Sequence, residues 1–376
     1  MSDIQPARRR ILRTWRPGAT PWQLEPQGTH ATNPLLDLAS NDYLGLSRHP
    51  ALIHAASEAL RCNGVGAGGS RLVTGSRPLH DQLEQALAHF LGRERVLLFP
   101  SGFQANLAAV IALTDRHGTV FADRLIHHSL LVGVKASGAR LQRFAHNDWN
   151  DLERRLKTSK HSTPPLVISE SLFSMEGSSP DVPALARLCE HYGANLLVDE
   201  AHALGVLGEG GRGLCHASSQ PVKLISGTFG KAFGSGGAFL AGDAAMGDLL
   251  LQTSGAFRYT TALAPPLVAG AHAALQLIER HPHWGTTLIA RCKQWRNALG
   301  QQGWQRPVGI GPILPLVVGP DDSALALQRQ LEQAGLLCVA IRPPTVPEGT
   351  ARLRVVLRRD LPNDTLERLL DAISTA

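Results

Sequence analysis

Aromatic residues supply only 5% of this 376-residue chain, and cysteine occurs five times. A nucleic-acid-binding surface clusters basic and aromatic side chains. Here Lys and Arg total 37 against 31 Asp and Glu, a net charge of +6, but the charges are dispersed. The excess reads as solvated surface, with attraction of an anionic substrate as the functional alternative. Cys62, Cys189, Cys215, Cys292 and Cys338 are odd in number, scattered and without a CxxC spacing, which excludes a metal or redox pair by motif and leaves reduced thiols, as in cytosol. Pro, Gly or a charge interrupts every apolar stretch before the roughly 18 residues of a membrane span. The arginines at 8, 9, 10, 13 and 16 are not followed by an apolar run with a small-residue cleavage site, so a secretory signal is not expected. No Ser/Gly-rich linker, charge block, internal repeat or low-complexity segment divides the chain.

With 43% hydrophobic and 18% charged residues, the composition is that of a globular protein. Residues 51–61 and 78–91 carry helical periodicity. TVFA (119–122), PLVIS (165–169), NLLVD (195–199), KLIS (223–226) and GAFLAG (237–242) are short apolar runs of the kind that form buried strands. Helices alternating with such runs predict an α/β domain with a largely parallel sheet. After residue 278 a helix, PILPLVVG, a helix over 323–335, RLRVVL and a last helix predict a small α+β domain. The expected organisation is an N-terminal segment (1–45), a large cofactor-binding domain (46–278) and a small C-terminal domain (279–376).

Polar and glycine-rich residues follow the predicted strands, where open α/β sheets bind ligands. One glycine run is a decoy: Gly64, Gly66 and Gly69 satisfy G-x-G-x-x-G, but a helical segment precedes them, whereas a dinucleotide loop must follow a strand. The stronger signal is SGTFGKAFG (226–234), with Lys231 among small residues after an apolar strand. Alone, that lysine reads as a solvated turn residue. Asp199, however, closes the strand LLVD with His202 three positions on, and a buried carboxylate needs a cation. Pyridoxal chemistry uses this combination: an amine for a Schiff base, a carboxylate facing a protonated ring nitrogen, and small residues beside a phosphate. SGFQAN (101–106) adds a turn opening a helix, whose N-terminal amides suit phosphate.

NDYLGL (41–46), GAGGSR (66–71), LFPSGFQAN (98–106), ADRLIHHSLL (122–131), RFAHND (143–148), LFSMEG (172–177), VDEAHALGVLGEGGRG (198–213), GTFGKAFG (227–234) and IRPPTVPEGTARLR (341–354) resemble, in order, the α-oxoamine synthase family. The resemblance spans nearly all of the chain after residue 40. It implies a fold-type I pyridoxal-phosphate homodimer with shared active sites that condenses an amino acid with an acyl thioester and releases carbon dioxide. RFAHND and IRPPTVPEGTARLR resemble the branch that joins L-alanine to a pimeloyl thioester, carried by coenzyme A or an acyl carrier protein, in cytoplasmic biotin biosynthesis.

By that resemblance Lys231 is the Schiff-base lysine and general base, Asp199 the partner of the ring nitrogen, His202 the ligand of the phenolic oxygen, and His127, rather than His128, the residue stacked on the ring. Gly102 and Phe103 match backbone phosphate contacts, and Ser174 and Thr228 match hydroxyls near the cofactor. Thr261 matches a contact to the phosphate of the neighbouring subunit. Arg354 matches the arginine that grips the substrate carboxylate, a task suited to a guanidinium. Alternation along RLRVVL puts Arg352, Arg354 and Arg358 on one face, so periodicity leaves the three open and the motif selects Arg354. Asn41 matches a residue contributed across the dimer, Thr345 a substrate contact, and Arg13 an acyl-substrate contact for which Arg16 stays an alternative. The same family also holds glycine C-acetyltransferases and 5-aminolevulinate synthases. An aminotransferase would share Lys231 and Asp199 but not IRPPTVP, and an inactive homologue would have lost one of the two.

Overall fold

A strand buried on both faces has no use for polar residues, which is why parallel sheets read as apolar runs. The computed structural model describes residues 5–28, 33–158, 163–218 and 221–374. Contacts divide it into two compact units. Unit 1 comprises Met1–Gly45, Ser174–Ser178 and Thr286–Ala376, and unit 2 comprises Leu46–Phe173 and Ser179–Gly285. The N-terminal residues thus group with the C-terminal ones, and a five-residue stretch from the middle of the chain joins them.

Along the chain, β1 (Trp15–Pro17), β2 (Gln23–Pro26) and β3 (Leu35–Asp37) open unit 1. Unit 2 follows with α1 (Pro50–Asn63), α2 (Pro78–Leu91), β4 (Arg95–Phe99), α3 (Gly102–Leu113), β5 (Thr119–Asp123), α4 (His128–Ser137), β6 (Arg140–Phe144), α5 (Trp149–Thr158), β7 (Leu166–Glu170), α6 (Val182–His191), β8 (Asn195–Asp199), β9 (Leu224–Thr228) and β10 (Ala238–Gly242). After these come α7 (Ala244–Thr253), α8 (Gly255–Arg258), α9 (Pro265–Arg280) and α10 (His283–Gln301). The C-terminal part holds β11 (Ile313–Gly319), α11 (Asp321–Gln333), β12 (Leu336–Leu337), β13 (Val339–Ile341), β14 (Ala351–Val356) and α12 (Thr365–Ser374).

Unit 2 is built on a seven-stranded sheet in the order β4-β10-β9-β8-β7-β5-β6. The pairs from β9 to β6 are parallel, and β10 runs antiparallel to both neighbours. This is the α/β architecture with a largely parallel sheet that the sequence pattern predicts. All five predicted strands form. Two strands beyond them are β4 and β6, and β6 is the sheet edge, polar and mostly exposed, so it offers no apolar run to detect. Helices α3 and α4 cover one face around Leu97, Phe99, Val110, Val120, Ile168 and Leu197. Each such burial contributes about 1.5–3 kcal/mol before entropy is counted. The GVGAGG run follows α1, whose C-cap Gly64 sits at φ 78°, and so has no dinucleotide geometry. Unit 1 carries a four-stranded sheet, β1-β2-β3-β12, and a three-stranded sheet, β11-β14-β13.

Candidate active site

The carboxyl ends of the central strands of unit 2 gather the residues that the motifs single out. Strand β8 delivers Asp199, 6% exposed, and the following turn buries His202 to the same degree. Asp199 Oδ2 accepts from Asn106 Nδ2 at 2.7 Å and Oδ1 accepts from the Ala201 N–H at 2.9 Å. Asn106 also donates to Ser129 Oγ at 3.0 Å, and Ser129 Oγ lies 2.7 Å from His127 Nδ1. A continuous hydrogen-bonded path therefore joins Asp199 to His127. Burial holds the pKa of His127 below the usual histidine value, Asp199 opposes this, and Lys231 and His128 add to it. The ring keeps an exposed side, and the solvent there weakens the effect of burial.

The His127 N–H donates at 2.5 Å to Glu170 Oε1, at the end of β7. Burial raises the Glu170 carboxyl well above the ordinary range; the charge of Asp199 adds to this, while Lys231 and the His127 N–H counteract it. Burial thus disfavours the charged form of Glu170, which lies beside an acidic residue and a cation. Sequence reading missed it, although it closes the apolar run LVIS just as Asp199 closes LLV. Asn106 and Ser129 were missed too, because a polar residue inside a helix carries no signal until its partner is known.

The half-buried Lys231 lies in the loop between β9 and β10. Thr228 shapes that loop: its hydroxyl donates to the Gly237 carbonyl at 2.9 Å and accepts from the Gly230 N–H at 3.2 Å. Ser101 caps α3, its Oγ accepting from the Gln104 N–H. The Gly102 and Phe103 N–H groups belong to the first turn, where no intrahelical carbonyl exists to receive them. Gly102 faces Thr228, and a Cβ placed on it would stand in ordinary contact at 3.8 Å. Thr261 is exposed in the segment before α9.

A second set lies in unit 1. Arg354, on β14 and 6% exposed, donates from Nε to the Ser174 carbonyl at 2.6 Å and from Nη2 to Asn41 Oδ1 at 2.9 Å. Ser174 thus meets Arg354 through its backbone. Burial pushes the nearby Tyr43 hydroxyl up to about 12, with Arg354 opposing, and Tyr43 Oη donates to Asn41 Oδ1 at 3.3 Å. The three arginines that alternation left open have different partners. Arg352 meets Glu176 at 3.5 Å, and Arg358 meets Asp37, Asp42 and Asp360 at 3.2, 3.4 and 3.0 Å. Arg354 alone among them has neutral acceptors and no carboxylate in its described ion pairs. Arg13 forms a two-pronged pair with Glu332 and lies 4.6 Å over the ring of Trp15. Thr345 is exposed, its N–H donating to the Arg342 carbonyl at 3.1 Å.

Other residues of two of the motifs bond to their own surroundings. In RFAHND, His146 Nδ1 and the Asn147 N–H donate to the fully buried Asp123, which also takes the Leu125 N–H. In the DEAH run, Glu200 accepts the Leu214 and Cys215 N–H groups at 2.7 and 3.1 Å, and burial raises its pKa to about 7. Gly213, at φ +85°, leaves room for it, since a Cβ there would stand 1.8 Å from Glu200 Oε2.

Pyridoxal phosphate needs an amine, a carboxylate for its ring nitrogen and an anion seat. Unit 2 provides Lys231, Asp199 and the open end of α3. Asn106 Oδ1, and Ser226 Oγ on the strand position paired with Asp199, are buried without a hydrogen-bond partner. The residues present fit the group.

The chain matches the family model for aminotransferases of class I and II over residues 33–373. An 8-amino-7-oxononanoate synthase of Chromohalobacter salexigens is 43% identical over 344 residues, which cover 91% of this chain and 89% of that protein. A solved structure of 8-amino-7-oxononanoate synthase from Francisella tularensis superposes with a TM-score of 0.79 at 28% identity, covering 91% of this chain and 97% of the other. A structure of SPT with PLP superposes with a TM-score of 0.91 at 26% identity, covering 97% and 92%.

Proposed function

This chain belongs to the 8-amino-7-oxononanoate synthases, within the class I and II aminotransferase family, and we propose that it condenses L-alanine with a pimeloyl thioester, releasing carbon dioxide and the thiol, in biotin biosynthesis. The observation that carries the reading is the convergence of Lys231, Asp199 and His127 around one electrostatic cluster in a chain that matches such an enzyme over 91% of its length. Pyridoxal phosphate, when bound, supplies an electron sink for the negative charge that develops at the α-carbon of the amino acid.

Lys231 would hold the cofactor through its Nζ and, once the amine of alanine has displaced it, its freed amine would take the α-proton of alanine. Asp199, held by Asn106 and the Ala201 N–H, keeps a proton on the ring nitrogen. His127 would stack on the ring, and His202 would hold the phenolic oxygen. The Gly102 and Phe103 N–H groups would receive the phosphate at the start of α3, the hydroxyls of Ser174 and Thr228 are assigned to the cofactor by their motifs, and Thr261 would reach the phosphate of a second copy of the chain. Arg354, which lacks a carboxylate partner of its own, grips the alanine carboxylate, with Asn41 holding the guanidinium and Thr345 lining the substrate. A mostly apolar cavity of about 560 Å³ in unit 1, edged by Arg13 and Arg342, accommodates the acyl methylenes.

The enzyme acts as a cytoplasmic homodimer. All five cysteines are free thiols, four of them buried, in keeping with a reducing compartment, and among the described residues no helix is long and apolar enough to cross a membrane. Product identification by mass spectrometry across a panel of amino acids and thioesters tests the reaction. Alanine with a pimeloyl thioester is the expected efficient pair, and glycine with acetyl-CoA as the efficient pair would overturn the substrate reading. Borohydride reduction followed by peptide mapping should place the cofactor on Lys231; another lysine would overturn the site.

A further inference from the structure

The path from Asp199 to His127 can be assigned donor by donor. An ionised carboxylate only accepts, so the group 2.7 Å from Asp199 Oδ2 must be the amide nitrogen of Asn106. The reversed amide would set oxygen against oxygen. With one hydrogen on Asp199, the other hydrogen of the same nitrogen points to Ser129 Oγ at 3.0 Å. Ser129 Oγ, which now accepts, has its own hydrogen left to give, and His127 Nδ1 stands 2.7 Å away. The Ser129 N–H also donates to Nδ1, at 3.3 Å. Nδ1 therefore faces two donors, and a proton there would confront both.

Asn106 is 3% exposed, Ser129 is wholly buried, and Asn106 Oδ1 has no partner. An unmet buried acceptor is costly, and its retention needs a reason. We infer that Asn106 and Ser129 are positioning residues that lock His127 in its neutral Nε2–H tautomer and tie it to the Asp199 carboxylate. The orphaned amide oxygen follows from this arrangement: turning it towards a partner would break the bond to Asp199. Charged and titratable groups acting on the ring are Asp199, Lys231 and His128, with Glu170 held at the His127 backbone N–H. The described donors at Nδ1 are the Ser129 hydroxyl and N–H, and the Asn106 amide orients that hydroxyl.

The proposal rests on the preceding functional reading only for its kinetic consequence, and the direct test needs no turnover. The full-length holoenzyme is labelled with ¹⁵N-histidine, and the ring signal lost in His127→Gln is followed by NMR against pH. The wild-type signal should show a bare Nδ1 and a protonated Nε2. Ser129→Ala removes the hydroxyl donor, and the His127 titration midpoint should rise by about one pH unit, the equivalent of one hydrogen bond. Asn106→Ala frees the Ser129 hydroxyl to reorient and should shift it the same way by less. In kinetics, the loss of turnover in Ser129→Ala should deepen as pH falls. A wild-type ring protonated on Nδ1, or a midpoint in folded Ser129→Ala unchanged from wild type, overturns the lock. A colourless wild-type protein with the expected ring signals would instead sink the cofactor reading and leave the lock standing.

Discussion

Replacing Arg354 by Ala should damage substrate binding far more than stability, and Arg358→Ala, two residues beyond the end of β14, should do the reverse. Arg354 is almost fully buried, yet its two described partners, the Ser174 carbonyl and Asn41 Oδ1, are neutral. A buried cation without a counter-ion costs several kcal/mol. Truncation therefore loses two hydrogen bonds but also removes that cost, and the net change in unfolding free energy should stay within about 1–2 kcal/mol. If Arg354 grips the substrate as proposed, the alanine carboxylate supplies the counter-charge, and truncation should weaken alanine binding by about 1.5–3 kcal/mol, roughly tenfold to 150-fold. Arg358 is 4% exposed and meets Asp37, Asp42 and Asp360. Its removal leaves three enclosed carboxylates facing one another, a loss of about 3–5 kcal/mol, a large share of a typical stability of about 5–15 kcal/mol. Urea unfolding and alanine saturation kinetics on both variants separate the two effects. The reasoning fails if Arg354→Ala unfolds as readily as Arg358→Ala, or if its KM for alanine moves less than about threefold.

Asp199→Ala should lower turnover by about a thousandfold, the scale of removing a preorganised charge, with little change in thermal midpoint. The lost bonds to Asn106 and Ala201 are offset by removal of the cost of burying the carboxylate itself; turnover within tenfold of wild type would refute its role. Burial disfavours the charged form of Glu170, and Glu170→Gln keeps a carbonyl for the His127 N–H without a charge to bury, so its stability advantage over wild type should grow with pH. A thermal midpoint lowered by more than about 5 °C at pH 8 would count against the raised Glu170 carboxyl. Glu200 has a folded pKa of about 7 against an ordinary 4.5, so the folded state keeps a proton that the unfolded chain releases. Stability should therefore fall as pH rises from 4.5 to 7, by up to about 3 kcal/mol, and level off above. Glu200→Gln should flatten that slope in denaturation measured across pH, and an unchanged slope would remove Glu200 as its source.

Periodicity and composition alone determined the alternating α/β order, the five buried strands and the helix over 78–91, because burial on two faces forces continuous apolar runs and burial on one face forces a 3.6-residue period. They also marked Asp199 and Lys231 as residues out of place, since a carboxylate ending an apolar strand and a lysine among glycines both ask for a partner. Strand β6 was not legible, because an exposed edge strand can be polar throughout. Alternation set Arg352, Arg354 and Arg358 on one face and could go no further. Tertiary structure gave Arg358 three carboxylates and Arg352 one, and left Arg354 with neutral partners. The same holds for RFAHND, which served as a marker of substrate choice in the sequence and whose His146 and Asn147 bond to the buried Asp123 in the fold. Glu170, Asn106 and Ser129 became meaningful only when β7, α3 and α4 brought them beside Asp199 and His127. A hydrogen bond between residues 93 positions apart, as between Asn106 and Asp199, leaves no periodic trace along the chain, because it is decided by where two elements meet.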